Sequence, residues 1–179
     1  GNQLKSVEIP DSVTSIGDGA FSNNQLTSVE IGDSVTSIGD GAFWGNLWGN
    51  QLTSVEIPDS VTSIGDSAFS NNKLTSVVIP DGVTSVGDNA FSRNLLKTIY
   101  ISGGITQVNG GTFANNPVEL VSISRDTYLV SAFPTETTII YREDNASPTN
   151  IQVSRSNFSE GISSGAIVAS LASNDSDLK

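Results

Sequence analysis

The feature that most constrains this chain is an internal repeat. Its six copies begin at Leu4, Leu26, Leu52, Leu74, Leu96 and Val118, so the spacings are 22, 26, 22, 22 and 22. The second copy is four residues longer because the tripeptide Trp-Gly-Asn of residues 44–46 occurs again at 48–50. One unit of this size cannot bury its apolar side chains alone, so the copies are expected to stack as a solenoid.

Apolar residues recur at fixed positions within the copies. Four aliphatic columns and one column of phenylalanine run along the chain: Val7/Val29/Val55/Val77/Ile99, Ile9/Ile31/Ile57/Ile79/Ile101, Val13/Val35/Val61/Val83/Ile105, Ile16/Ile38/Ile64/Val86/Val108 and Phe21/Phe43/Phe69/Phe91/Phe113. Stacking aligns each column into a continuous core. The alternation V-x-I predicts a short strand in every copy, with its middle residue facing solvent and neighbouring strands about 4.8 Å apart.

Several polar residues of the repeat are expected to have structural roles. The Pro-Asp pairs at 10–11, 58–59 and 80–81 predict turns, because proline presets the turn dihedral and aspartate bonds nearby backbone. Paired asparagines such as Asn71 and Asn72 predict a ladder of side-chain amides bonded to loop backbone. Four aspartates precede x-Ala-Phe and predict N-caps on single helical turns: Asp18, Asp40, Asp66 and Asp88.

The pattern L-x-x-V-x-I-P-D-S-V-T-S-I-G-D-x-A-F-x-N-N resembles the BspA-like leucine-rich repeat in its short bacterial form. The resemblance covers residues 4–117 closely and 118–141 loosely. It implies a β-rich, right-handed superhelix with short strands on the concave face and turns or single helical turns on the convex face. It also implies an extracellular or cell-surface protein that acts in adhesion and protein recognition. A right-handed β-helix, which has coils of similar length, is the alternative fold.

The sequence predicts a solenoid over residues 1–141 and a second unit after it. The solenoid contains repeats 4–25, 26–51, 52–73, 74–95 and 96–117 and a C-terminal cap, 118–141. Residues 142–150 form a polar, proline-containing linker. Residues 151–179 resemble the truncated start of a bacterial cadherin-like β-sandwich, whose open strands offer a route to self-association. Because Gly1-Asn2-Gln3 matches the end of a repeat, we expect the sequence to begin inside a repeat, with no signal peptide in it.

Composition excludes several classes of function. The 179 residues include no Cys, His or Met, and 19 acidic against 8 basic residues give a net charge of -11. Without Cys or His, the chain has no thiolate or imidazole ligand and no Ser-His-Asp triad. Acidic residues repeat once per copy, which indicates architecture rather than a tuned catalytic site, so we expect no enzyme. The negative charge disfavours binding to nucleic acid. The sequence contains no run of about 18 apolar residues, the length needed to span a membrane.

The solvent-facing position between the two strand columns is the candidate binding surface for a protein or a surface glycan. Glu8, Glu30 and Glu56 occupy it in the first three copies, and Val78, Tyr100 and Ser122 follow. Stacked carboxylates about 5 Å apart repel each other by about 1 kcal/mol per pair, and a cationic ligand would relieve this. In the alternative interpretation the flexible glutamates splay into solvent and only maintain solubility.

The only two tryptophans, Trp44 and Trp48, both lie in the four-residue insertion. Inserted loops of solenoids often lie on binding faces, and tryptophan is common in binding hot spots. The hypothesis is therefore that both rings contact a ligand. The alternative is that they pack locally over Phe43 and Leu47.

The cadherin-like resemblance implies a calcium site in the C-terminal unit. It assigns Glu160, Asp175 and Asp177 as ligands, with Asp144 as a weaker candidate in the linker. Calcium takes about 6–8 oxygen ligands, so this set is incomplete. The sequence therefore predicts no required cofactor here and calcium only in a full-length protein. Two functions stay open: a non-catalytic adhesion module, or a structural spacer with no ligand of its own.

Overall fold

The structure is a computed structural model that describes residues 2–46, 49–124, 127–129, 133, 136–142, 151–155 and 169–170. In these ranges the chain forms a solenoid of about six coils built from short parallel strands, and no helix occurs in them. The strands are β1 (Ser6–Ile9), β2 (Ser15–Ile16), β3 (Ser28–Ile31), β4 (Ser37–Ile38), β5 (Ser63–Ile64), β6 (Ser76–Ile79), β7 (Ser85–Val86), β8 (Thr98–Ile101), β9 (Gln107–Val108), β10 (Leu120–Ser124), β11 (Tyr128–Leu129), β12 (Thr138–Arg142), β13 (Ile151–Arg155) and β14 (Ala169–Ser170).

One side of the solenoid, which we call the strand face, is formed by the V-x-I segments of successive coils. β1 pairs with β3 in a parallel two-stranded sheet. β6, β8, β10 and β12 form a second parallel block, to which β13 and then β14 add in antiparallel orientation. The predicted strands therefore form in most coils, in the register that the repeat sets.

A second sheet follows the turn after each strand-face segment. β2, β4, β5 and β7 pair in order and in parallel, and β9 pairs with β11 further along. The pairing of β4 with β5 joins Ser37 to Ser63, which lie on either side of the four-residue insertion. The insertion is therefore absorbed before β5, and this sheet is continuous through the first four coils.

The core lies between the two sheets and the turns that follow the second one. Most residues of the aliphatic columns are buried there, with Val61 and Val83 at 0% exposure, and the leucines that begin the repeats, such as Leu52 and Leu74, are buried beside them. The rings of Phe21, Phe43, Phe69, Phe91, Phe113 and Phe133 stack with centroids 5.2–5.8 Å apart. The predicted phenylalanine column is confirmed, and it extends by one ring into residues 118–141.

Buried asparagines close each coil and tie it to the preceding one. The Asn72 Oδ1 accepts a hydrogen bond from the Leu52 N–H at 3.0 Å. Its Nδ2 donates to the carbonyls of Phe43 and Phe69 at 3.0 and 3.1 Å. Asn94 and Asn116 make the equivalent bonds in their coils. The ladder predicted from the paired asparagines is therefore present.

The prediction that Asp18, Asp40, Asp66 and Asp88 cap single helical turns is wrong. Each of the first three accepts, at its Oδ1, the backbone N–H of the aspartate one coil further on, at 2.7–2.9 Å. The Asp88 Oδ1 accepts from the Asn109 side chain instead. The residue after each aspartate has a positive φ, between 55° and 59°, which stops a right-handed helix. These residues therefore link coils across a turn.

A strand in every coil was also predicted, and the third coil differs. Residues 54–57 are not a strand and pair with neither β3 nor β6. Val55 is half-buried and Ile57 is buried, so the side chains keep their place in the core columns. Only the backbone ladder is missing there.

The division into solenoid, linker and cadherin-like start stays a prediction. Most of residues 142–179 lies outside the described residues. The described part shows β12 paired with β13, with Ile140 opposite Val153.

Candidate binding surface

The strand face presents a column of outward side chains, one per coil, between the buried residues. In the first two coils Glu8 lies opposite Glu30 in register, and both are exposed. In the fourth and fifth coils Val78 lies opposite Tyr100. Because the residues on either side of Val78 and Tyr100 point into the core, these two side chains can only face outward.

Val78 and Tyr100 form the apolar part of this column. Their exposed fractions are 55% and 40%, whereas the neighbouring core residues Val77 and Ile99 are buried at 2% and 0%. Nothing in the repeat requires an apolar residue here, since Glu8 and Glu30 occupy the same position. We call the Val78 and Tyr100 side chains the apolar patch.

The predicted ladder of three stacked glutamates is only partly formed. Glu8 and Glu30 are registered partners, but Glu56 belongs to the unpaired segment of the third coil, although it is exposed. The prediction that Ser122 is exposed is wrong, because this serine is 5% exposed although it lies opposite Tyr100 in register. The open part of the outward column therefore ends at Tyr100.

The two halves of the solenoid differ in charge around this column. Residues 1–72 contain nine acidic side chains and one basic one, Lys5, whereas residues 73–124 contain three of each. Lys97 forms an ion pair with Glu119 at 3.0 Å, and the two side chains are 64% and 67% exposed. The Lys73 Nζ donates to the Gln51 Oε1 at 2.8 Å. The apolar patch therefore lies in the half without net charge.

The N-terminal half has an acidic groove of about 370 Å³ lined in part by Glu8, Asp11, Glu30 and Asp33. The Asp11 Oδ1 already accepts the backbone N–H of Asp33 at 2.9 Å. In the part of the chain that the structure describes, no group of three or more acidic side chains is placed to hold a metal ion. The groove is therefore negatively charged.

Of the two tryptophans, the structure describes only Trp44. It is half-buried, and its carbonyl accepts the Asn23 N–H at 3.1 Å. Trp48 lies outside the described residues, as do the calcium candidates Asp144, Glu160, Asp175 and Asp177. The hypotheses on these residues stay predictions.

Sequence reasoning missed one exposed apolar residue, Leu95. It is 51% exposed and directly precedes the coil that contains Tyr100. Its N–H donates to the Leu74 carbonyl at 2.9 Å, so its backbone is fixed in the solenoid. The available signal was its column, in which the preceding copies have Gln25, Gln51 and Lys73.

The repeat matches a family model described as the BspA type leucine-rich repeat region. Six copies match, over residues 1–117 and 46–137. The chain belongs to this family. The BspA-type assignment agrees with the short parallel strands and with the regular spacing of the copies, and it decides between the two folds that the sequence left open. A search of the curated proteins finds no match.

Three solved structures are similar to this BspA-type chain. A leucine-rich repeat protein from Bacteroides ovatus is 20% identical, with a TM-score of 0.49, over 78% of this chain and 56% of that one. One from Eubacterium ventriosum is 19% identical, with a TM-score of 0.46, over 79% and 55%. A leucine-rich cell surface protein from Faecalibacterium prausnitzii is 20% identical, with a TM-score of 0.35, over 78% and 61%. The chain thus spans less than two thirds of each of these proteins.

Among the described residues of this BspA-type chain, no helix is long and apolar enough to cross a membrane.

Proposed function

We propose that this chain is a non-catalytic binding module of a bacterial surface or secreted protein, and that its strand face recognises a protein or a glycan. The observation that carries the proposal is the apolar patch. Val78 and Tyr100 lie side by side on a rigid parallel sheet, at 55% and 40% exposure. Membership of the BspA-type family supports a role as a repeat module rather than an enzyme.

The rigidity of the patch favours binding. Both backbones are held in the β6–β8 ladder, and Ile79 and Ile101 on the inner side are fully buried. A tyrosine presented from a rigid sheet loses little conformational freedom when a partner covers it. Tyrosine is also one of the residue types enriched in binding hot spots.

The chemistry around Tyr100 makes a protein the first partner class to test. Its registered neighbours are Val78, whose side chain offers no hydrogen-bonding group, and Ser122, which is buried. Sugar hydroxyls need several polar partners, whereas an apolar side chain of a protein needs mainly apolar area. The ion pair of Lys97 and Glu119 adds exposed side chains of both charges to this half of the solenoid.

A structural spacer is the second candidate function. The continuous phenylalanine stack and the asparagine ladder would suit a stiff connector. Exposed large apolar side chains are few in the described ranges: Leu4, Val78, Leu95 and Tyr100. A spacer requires no particular chemistry at the apolar patch. The two functions therefore predict different effects of substitutions at Val78 and Tyr100.

The test is a binding screen with a matched pair of variants. The immobilised chain is probed with purified extracellular matrix proteins and with a glycan array. Binding to at least one probe is expected, and the double variant Val78→Thr/Tyr100→Ser should weaken it at least about tenfold. The control Glu30→Gln, in the same outward column, should change affinity less than about twofold.

Each outcome of this screen decides between the functions. Loss of binding in the double variant alone supports recognition by the apolar patch. Equal binding by the double variant would mean that the binding site lies elsewhere than on the strand face of coils four and five. No binding to any protein or glycan, together with an unchanged melting temperature in their presence, would favour the spacer.

A further inference from the structure

The fifth coil departs from the repeat at the turn that follows the second sheet. The first four coils have Gly-Asp at this position, as at residues 87–88, whereas the fifth coil has Asn109-Gly110. Asn109 is the only asparagine of the chain that a glycine follows directly. Because glycine has no Cβ, its backbone nitrogen can approach the preceding side chain with little steric hindrance.

This exchange of residues leaves a backbone N–H without a partner. In the inner coils the N–H at this position is bonded, and the Asp88 N–H, for example, donates to the Asp66 Oδ1 at 2.7 Å. In the fifth coil the Asp88 Oδ1 instead accepts a hydrogen bond from the Asn109 Nδ2 at 3.2 Å. Among the described residues, the Gly110 N–H makes no hydrogen bond.

The side chain that precedes this free N–H is exposed. Asn109 directly follows β9, and its carbonyl accepts the Thr112 N–H at 3.1 Å at the start of a turn. The Gln107 Nε2 donates to the Asn109 Oδ1 at 2.8 Å. A donor on this oxygen stabilises the negative charge that develops there when a nucleophile attacks the Cγ atom.

Two other glycines, each of which follows an aspartate, show how the fold hinders such an attack elsewhere. The Gly19 N–H donates to the Asp40 carbonyl and the Gly41 N–H donates to the Asp66 carbonyl, both at 2.8 Å. A nitrogen held in this way must break its hydrogen bond before it can attack the preceding side chain. The Gly110 nitrogen has no such bond to break.

We propose that Asn109-Gly110 is a site of spontaneous deamidation in the folded chain. A base in the solvent removes the proton of the Gly110 N–H, and the nitrogen bonds to the Asn109 Cγ. The Cγ–Nδ2 bond then breaks, and ammonia leaves after taking a proton from water. Water opens the resulting cyclic imide at either carbonyl, which gives aspartate or isoaspartate at position 109.

The product changes the contact between the fourth and fifth coils. A carboxylate at position 109 has no proton to donate to Asp88, and it places a second negative charge beside that residue. Isoaspartate also adds a methylene to the backbone directly after β9. Strand pairing does not compensate here, since β7 and β9 belong to different sheets. Deamidation therefore weakens the junction between these two coils.

Incubation of the full chain at mildly alkaline pH, followed by peptide mapping with mass spectrometry, tests the site. Conversion at position 109 should be at least about tenfold faster than at any other asparagine of residues 2–46 and 49–124. Isoaspartate at positions 18 and 40 should form at least about tenfold more slowly in the folded chain than in urea, which frees the glycine N–H groups. Conversion at 109 only in urea, or no faster than at other asparagines, would overturn the proposal.

Three variants separate the chemistry from its effect on stability. Asn109→Gln keeps the amide but requires a larger ring, so conversion should fall at least about tenfold. Asn109→Gly/Gly110→Asp restores the Gly-Asp pair of the preceding coils and should abolish conversion without lowering the melting temperature. Asn109→Asp, which is the product with a normal backbone, should lower the melting temperature by about 1–3 °C.

The variants can also contradict the proposal. Conversion of Asn109→Gln as fast as that of the parent would overturn the cyclic imide. An unchanged melting temperature for Asn109→Asp, together with an unchanged melting temperature for the fully converted parent, would overturn the effect on the junction between the coils.

Discussion

The two sides of each coil are held by different kinds of contact, and only one side is the same in every coil. On the turn side, carboxylates, phenylalanine rings and asparagine amides repeat the same bonds from coil to coil. On the strand face, backbone pairing is present between the first two coils, absent around the third and present again from the fourth. Contacts made by specific side chains follow the repeat through every inner coil, whereas the backbone ladder of the strand face is interrupted at the third coil.

The largest expected effect separates an inner coil from the end of the stack. Phe69→Ala removes a ring that is fully buried between two others, so it should lower the free energy of unfolding by about 3–5 kcal/mol. Phe21→Ala removes a half-buried ring with one described stacking partner and should cost no more than about half as much. Urea denaturation followed by circular dichroism measures both. Equal losses would mean that the stack does not distinguish inner from terminal coils.

The next effect concerns the asparagine ladder. Asn72→Ala leaves the buried Leu52 N–H without its partner and removes one of the two donors to the Phe43 carbonyl, so a loss of about 2 kcal/mol is expected. Asn24→Ala should cost less, because the Asn24 Nδ2 bonds only carbonyls of its own coil. Denaturation midpoints of the two variants test this order. A larger loss for Asn24→Ala would contradict the role of the ladder in joining coils.

The smallest effect concerns the exposed aspartates of the turn side. Asp66→Ala removes the acceptor of the Asp88 N–H and should destabilise by about 1 kcal/mol. Asp66→Asn keeps an acceptor oxygen and should stay within about 0.5 kcal/mol of the parent. Thermal melts of both variants, with Glu30→Gln as a strand-face control, measure the difference. If Asp66→Asn is as unstable as Asp66→Ala, the carboxylate charge rather than the hydrogen bond stabilises the turn.

Much of the solenoid could be predicted because its signals repeat. The columns of Val, Ile and Phe indicated the strands, the core and the ring stack, and the paired asparagines indicated the amide ladder. The aspartate prediction was wrong because an aspartate before a turn has the same local pattern whether it caps a helix or bonds the next coil. Local sequence contains no information on which N–H arrives from the neighbouring coil.

The candidate binding surface was predicted less well than the core. Tyr100 was placed correctly on the outward column, but Ser122 is buried there, and Glu56 has no paired strand to hold it in line. Exposure depends on what the neighbouring coils bring beside a residue, so a column inferred from one repeat cannot determine it. Leu95 could have been noticed as a departure from a polar column.

By itself the sequence determined the period, the core columns and the stacking, because a unit this short with these apolar positions has only its neighbours to pack against. It also determined that Cys and His chemistry is absent. Only the tertiary structure decided how Asp18, Asp40 and Asp66 are used, that the strand face divides at the third coil, and that Val78 and Tyr100 form one patch. Each of these depends on contacts between residues about one coil apart, and such contacts form only when the coils are stacked.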